Sequence, residues 1–172
     1  MARLKVLTVP DPQLRIKARP VDRVDAAVRR LMDDLVETVI AEDGAGLAAT
    51  QVGIHKRVIV VDLSSRFEDI PMILMANPEI VWASSEKSEM NEGCLSVPDQ
   101  RSIVERPAAV KVTYLDEHNN QQELNADGYL ATCVQHEIDH LNGKLYIDYL
   151  PPLKRQLLIQ KAKRFVRAEA LQ

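Results

Sequence analysis

A chain of 172 residues, 46% of them hydrophobic, suits one compact domain spanning residues 1–172 and large enough to bury a core without disulfide staples. Its formal net charge of -3 offers no global basic field for nucleic acid or a membrane surface, so any such partner must use a local patch. Charges in Arg3 and Lys5 interrupt the apolar run of ~7–15 residues that a secretory signal needs, and no stretch approaches the ~20 apolar residues of a membrane span, which implies a cytoplasmic protein. In that reducing setting the two cysteines, Cys94 and Cys133, are expected to ligate, pack or react rather than to form a bridge.

Taken in order, Thr8-Val9-Pro10-Asp11-Pro12 is too rich in proline for regular structure and reads as an extended arm across the surface. Between residues 25 and 43, Val28, Leu31, Met32, Leu35, Val36, Val39 and Ile40 recur at helical spacing, the mark of a helix packed on a core. Gly44-Ala45-Gly46-Leu47-Ala48-Ala49-Thr50-Gln51 follows, uncharged and small. It is no phosphate loop, because it lacks the lysine of one and follows a helix rather than a strand. Close backbone approach is what such glycines permit, and Gln51 adds an amide that can donate or accept.

Strands are expected at residues 57–63, 72–75 and 80–83, the last two separated at Asn77-Pro78, with a weaker candidate at 102–105. Val110, Val112 and Tyr114 alternate with Lys111 and Thr113 in a half-buried strand that turns at His118-Asn119-Asn120 into residues 122–125. A helix over about 128–141, closed by Gly143, and a C-terminal helix over about 152–170 complete an α+β chain: mostly antiparallel sheets packed around a central helix.

That central helix carries His136-Glu137-Ile138-Asp139-His140, an H-E-x-x-H. Residues four apart share a helix face, so both imidazoles can address one ion, while Glu137, about 100° away, can handle the proton of a water there. A catalytic metal site of this kind needs a third protein ligand and an open position. Downstream of His140 only Asp148 and Glu169 are acids, and there is no further histidine, which argues against an ordinary zinc peptidase. Cys133 precedes His140 by seven residues, about 10.5 Å of helical rise, too far for a short side chain sharing a metal with it. Cys133 therefore reads as a small packing residue, and Cys94, in Glu92-Gly93-Cys94-Leu95-Ser96, remains.

The three segments Gly44-Ala45-Gly46-Leu47-Ala48-Ala49-Thr50-Gln51, Glu92-Gly93-Cys94-Leu95-Ser96 and Gln135-His136-Glu137-Ile138-Asp139-His140 resemble, in order and spacing, the signature motifs of bacterial peptide deformylases. The likeness runs from Val9-Pro10-Asp11-Pro12 to the basic C-terminal helix, nearly the whole chain. It implies metal ligation by Cys94, His136 and His140, with Fe2+ as the metal and Zn2+, Ni2+ or Co2+ as substitutes. It implies hydrolysis of the formyl group from N-formylmethionyl nascent polypeptides, with release of formate: a metal-activated water attacks, Glu137 acts as general acid and base, and Gln51 and the Leu95 backbone N–H stabilise the oxyanion. By position it assigns the substrate pocket to Ala45, Gly46, Met90, Glu92, Gly93, Tyr129, Thr132 and Cys133. Tyr129 and Thr132 stand where aliphatic residues are expected, and Ala45 is smaller than the usual isoleucine or valine, so hydroxyls there need partners.

The same resemblance gives the C-terminal helix, with Lys154, Arg155, Lys161, Lys163, Arg164 and Arg167 against the single acid Glu169, a role in docking a monomeric enzyme to the ribosome. A zinc endopeptidase and a non-catalytic metal-binding or ribosome-associated module are the alternatives. Formate release distinguishes the first, and a need for Glu137 and Gln51 distinguishes the second.

Overall fold

The computed structural model describes residues 2–171; Met1 and Gln172 lie outside the described residues. In chain order come α1 (Ala26–Ala41), β1 (Gly46–Ala48), β2 (Val58–Val61), β3 (Ile73–Ala83), β4 (Lys87–Cys94), β5 (Val97–Pro107), β6 (Ala109–Leu115), β7 (Gln121–Asp127), α2 (Gly128–Leu141) and α3 (Pro152–Glu169). Five strands form an antiparallel sheet in the order β1-β2-β3-β6-β7, and β4 pairs with β5 in a separate antiparallel ribbon. The architecture is the α+β arrangement expected, with a C-terminal helix.

Period-two alternation explains how the sheet is covered. Along β2, Ile59 and Val61 pack with Val134, Ile138 and Leu141 of α2, while Val58 and Val60 pack with Leu31, Leu35 and Val39 of α1. The sheet is thus covered on both faces at β2, which is why all four β2 residues are buried. Helix α1 starts where the Asp25 side chain accepts hydrogen bonds from the N–H groups of Ala27 and Val28, a cap worth about 1 kcal/mol. Ile40, counted in its apolar stripe, lies outside the packed face and is exposed. Helix α2 is enclosed more completely, with residues 131–138 all buried, and ends at Gly143, whose φ of 74° is the left-handed conformation expected there. No other residue fits at Gly143 without backbone movement, because a Cβ would lie 2.4 Å from the Arg15 carbonyl oxygen.

Three local readings are corrected. The proline-rich arm is not simply draped on the surface: Val9 and Leu14 are buried in a third core with Val97, Val104 and Tyr146, and Pro12–Arg15 forms a 3-10 turn. Asn77-Pro78 does not end a strand but sits within β3 at an irregularity between Ala76 and Glu79. Asn77 accepts the positive φ required there, and its side-chain amide both receives the Val21 N–H and donates to the Val21 carbonyl. The weak strand at 102–105 is the middle of an 11-residue strand, β5, whose partner β4 was not anticipated. Lys87, Glu89 and Asn91 of β4 are exposed polar residues and carry little strand signal.

Candidate metal and catalytic site

Helix α2 supplies two imidazoles one turn apart, and the end of β4 brings a thiol to them. Cys94 follows a register irregularity at Gly93, which bends the strand end out of its ladder and towards α2. Nε2 of His136 lies 3.3 Å from Nε2 of His140, and Cys94 Sγ lies 3.3 Å from His140 Nε2. All three potential ligand atoms fall within 4.8 Å of one another, and this is the one such group among the described residues. Bonds of about 2.0–2.3 Å at tetrahedral angles place ligand atoms roughly 3.3–3.6 Å apart, so the spacing fits a shared ion.

Hydrogen bonding supports the same fit. His136 Nδ1 donates to Glu92 Oε1 at 2.8 Å, which turns its Nε2 towards His140. Burial lowers the His140 imidazole well below its usual pKa, whereas for His136 the contacts with Cys94 and Glu92 outweigh burial and raise it. The two Nε2 atoms, 3.3 Å apart, have the separation that two ligands of one cation take up. Cys133 is different: burial pushes its thiol up to about 12, and it packs in the apolar cluster beneath the sheet.

Glu92 was assigned to the substrate pocket; it lines the cleft, and both its carboxylate oxygens are engaged behind it. Arg106 donates to Glu92 through Nε at 2.7 Å and Nη2 at 2.9 Å, and its Nη1 donates to Asp139 Oδ2 at 2.8 Å. Tyr149 donates its hydroxyl to the same Asp139 oxygen at 2.8 Å and offers its ring to the Arg106 guanidinium, 4.8 Å away. Burial alone would raise the Glu92 pKa, but hydrogen bonds from His136 and Arg106 hold it below the ordinary glutamate value. The carboxylate is therefore charged and fixes the His136 ring. Arg106, Asp139 and Tyr149 were not singled out from the sequence. The signal for Arg106 was available, because the alternation that buries Ser102 and Val104 also turns Arg106 inward.

Gln51 is buried in the 3-10 turn after β1, with its amide orientation fixed at both ends: Oε1 accepts from the Ala48 N–H at 2.8 Å, and Nε2 donates to Ser96 Oγ at 3.1 Å and points at Cys94 Sγ at 3.6 Å. A donor is thus held beside the ligand cluster. Glu137 is 5% exposed; its Oε2 has no hydrogen-bond partner among the described residues, and burial pushes its pKa up to about 7. Gly46 is close behind it, for a Cβ there would lie 2.8 Å from Glu137 Oε1 and 3.0 Å from its Cγ. This is a specific reason for glycine at that position, independent of φ.

A cleft of about 490 Å³ opens over these groups. Its walls include Ala45, Gly46, Gln51, Met90, Glu92, Gly93, Cys94, Leu95, Tyr129, Thr132, Cys133, His136 and Glu137, so every residue given a ligand, catalytic or substrate-pocket role from the sequence lines it except the deeper His140. The open question about its hydroxyls is answered by their partners: Tyr129 accepts from Arg66, and Thr132 donates to the Gly128 carbonyl of its own helix at 3.4 Å. Phe165 and Glu169 of α3 reach the rim, a contribution the sequence reading did not include.

Comparison with known proteins agrees with this geometry. A family model described as polypeptide deformylase matches residues 3–156. Among solved structures, the chain is similar to peptide deformylase from Ehrlichia chaffeensis at 42% identity and TM-score 0.92, covering 98% of this chain and 99% of that one. It is similar to a peptide deformylase from Legionella pneumophila at 40% identity and TM-score 0.93, covering 99% of both chains. It also resembles a peptide deformylase from Synechococcus elongatus solved in complex with actinonin, at 40% identity and TM-score 0.84, covering 94% of this chain and 86% of that one. With the match running from the N-terminal arm through both ligand-bearing segments into α3, the chain belongs to the polypeptide deformylase family.

Proposed function

We propose that this chain, acting as one monomeric catalytic unit, hydrolyses the formyl group from the N-terminal formylmethionine of new polypeptides and releases formate. The observation that carries the reading is the convergence of Cys94, His136 and His140 within 4.8 Å, in a cleft also lined by Gln51 and Glu137. A divalent ion held by those three ligands supplies Lewis acidity and a water of lowered pKa. The thiolate in the ligand set suits Fe2+ as the resident metal, with Zn2+, Ni2+ or Co2+ able to replace it.

The chain's own groups then have distinct tasks. Glu137, with one free oxygen and a pKa near 7, takes a proton from the attacking water and returns it to the nitrogen as the C–N bond breaks. Gln51 Nε2 and the Leu95 backbone N–H donate to the oxygen on which negative charge develops, each worth about 3–4 kcal/mol. Ala45, Gly46, Met90, Gly93, Tyr129, Thr132 and Cys133 surround the methionine side chain, and Glu92 orients His136.

Among the described residues no helix is long and apolar enough to cross a membrane. Action in the cytoplasm follows from the substrate, which appears at the ribosome. The basic residues of α3 provide the phosphate-binding surface for docking there. The decisive experiment is formate release from formyl-Met-Ala by protein prepared anaerobically with Fe2+. Cleavage within an unformylated peptide, without formate, would replace this reading with that of an endopeptidase.

A further inference from the structure

Arg66 belongs to none of the motifs, yet it reaches the cleft. It lies on the segment between β2 and β3, where its own N–H and that of Phe67 both donate to the Leu63 carbonyl, at 2.9 Å and 2.8 Å, and the Ile70 N–H donates to the Phe67 carbonyl at 3.1 Å. The start of that segment is tied to the cleft wall, for the Asp62 N–H donates to the Ala45 carbonyl at 2.9 Å. The backbone bearing Arg66 is therefore held relative to the site. From there the guanidinium makes two contacts with one side chain: Nη1 donates to the Tyr129 hydroxyl, and the guanidinium carbon sits 5.1 Å from the centre of the Tyr129 ring. The Phe67 ring lies beside it, 5.9 Å from the Tyr129 ring centre and tilted by 40°.

A tyrosine has two side-chain torsions, and contacts at both ring and hydroxyl leave it little freedom. Tyr129 lines the cleft with Ala45, Met90, Thr132 and Cys133, all small or unbranched side chains, so among these its ring offers the large flat surface. A thioether sulfur makes favourable contacts about 5 Å from an aromatic ring, which a methylene does not reproduce.

We infer that Arg66 is a positioning residue for substrate selection: by clamping Tyr129 it presents the aromatic wall against which the methionine side chain of the substrate packs. The inference rests on the deformylase reading and adds to it a residue outside the motifs. The clamp acts on binding of the first side chain and leaves the proton-handling groups untouched, so its loss falls on KM and on discrimination, with kcat preserved.

The test compares formyl-Met-Ala with formyl-norleucine-Ala, which differ by sulfur against methylene, using wild-type, Arg66→Ala, Arg66→Lys, Tyr129→Phe and the Arg66→Ala/Tyr129→Phe double variant. Arg66 is exposed, so the variants are expected to fold, as circular dichroism will verify. For Arg66→Ala, KM for the methionine substrate should rise about tenfold, equivalent to 1.4 kcal/mol, with kcat within about twofold and a smaller preference for methionine over norleucine. Tyr129→Phe, which keeps the ring contact and loses only the hydroxyl one, should show a smaller rise, the double variant should be no worse than Arg66→Ala, and Arg66→Lys should fall between wild type and Arg66→Ala. An unchanged KM and preference in Arg66→Ala, additive effects in the double variant, or a loss carried by kcat overturns the inference while wild-type formate release preserves the deformylase reading. Absence of formate from the wild-type protein overturns both.

Discussion

Replacing Gly46 with alanine tests whether Glu137 is the proton carrier, without touching the carboxylate itself. The added Cβ would stand 2.8 Å from Glu137 Oε1, 3.0 Å from Cγ and 3.1 Å from Cδ. Comfortable separations between such atoms are about 3.5–4.0 Å, so the two groups must part by roughly half an ångström or more. Strand β1 cannot easily yield, because Gly46, Leu47 and Ala48 pair with Val61, Val60 and Ile59 and the last two β1 residues are fully buried. Among the described residues Glu137 Oε2 has no hydrogen-bond partner to resist displacement. The carboxylate should therefore move. Overpacking of this kind costs about 1–3 kcal/mol of stability, whereas a misplacement approaching 1 Å at a reacting group costs up to about 100-fold in rate. The expected result is a fall of roughly 10- to 100-fold in kcat for formyl-Met-Ala, with metal content unchanged and only a modest loss in urea-unfolding stability. A variant that retains wild-type kcat at full metal loading would show that the position of Glu137 does not limit the reaction.

Glu137→Ala should keep its metal and lose about 10²–10⁴-fold in turnover, read by metal analysis alongside formate release. Arg106→Met should cost about 3–5 kcal/mol in unfolding free energy, since it strands Glu92 and Asp139, and should weaken metal retention against a chelator about 10- to 100-fold by freeing His136; wild-type metal retention would show that the Glu92 contact does not orient the ligand. Cys94→Ala should abolish metal binding while Cys133→Ala leaves it intact, and the reverse outcome would refute the ligand assignment. Reversing the charges of Lys154, Lys161, Arg164 and Arg167 should reduce ribosome co-sedimentation at low salt and leave hydrolysis of formyl-Met-Ala unchanged; co-sedimentation equal to wild type would show that this helix face is merely solvated.

The helices were legible because their patterns were strong. The stripe in α1 and the motif in α2 each persist for several turns, and Asp25 and Gly143 mark a start and a stop by side-chain capping and by positive φ. Of the β4–β5 ribbon only residues 102–105 were legible, because a two-stranded element with one exposed face needs few apolar residues and therefore shows little periodicity. Asn77 misled for a related reason: Asn-Pro usually marks a turn, and its accommodation inside β3 depends on Val21, 56 residues away. In the site, the groups proposed to touch the metal or the reacting atoms announced themselves by residue type and spacing. The groups behind them did not. Arg106, Asp139 and Tyr149 act through contacts between β5, α2 and the turn before α3, and nothing in their local sequence records those partners.

Those unannounced contacts also explain how three motifs on three separate elements can be held to ångström tolerances. Gln51 follows β1, Cys94 ends β4, and the histidines lie on α2, so no single element fixes their relative positions. The N-terminal arm ties the first to the second: the Leu7 N–H donates to the Gln51 carbonyl at 2.7 Å, and the Val9 N–H donates to the Ser96 carbonyl at 2.8 Å. Arg106 ties the second to the third by bridging Glu92 of β4 to Asp139 of α2. Tyr146 completes the frame, stacked 6.0 Å from the His136 ring and packed in the same core as Val9, Leu158 and Ala162. Helix α3 is consequently part of what supports the site as well as a basic surface. Deleting it would expose that core beneath His136 and confound docking with catalysis, which is why charge reversal on its exposed face, and not truncation after Pro152, separates the two roles.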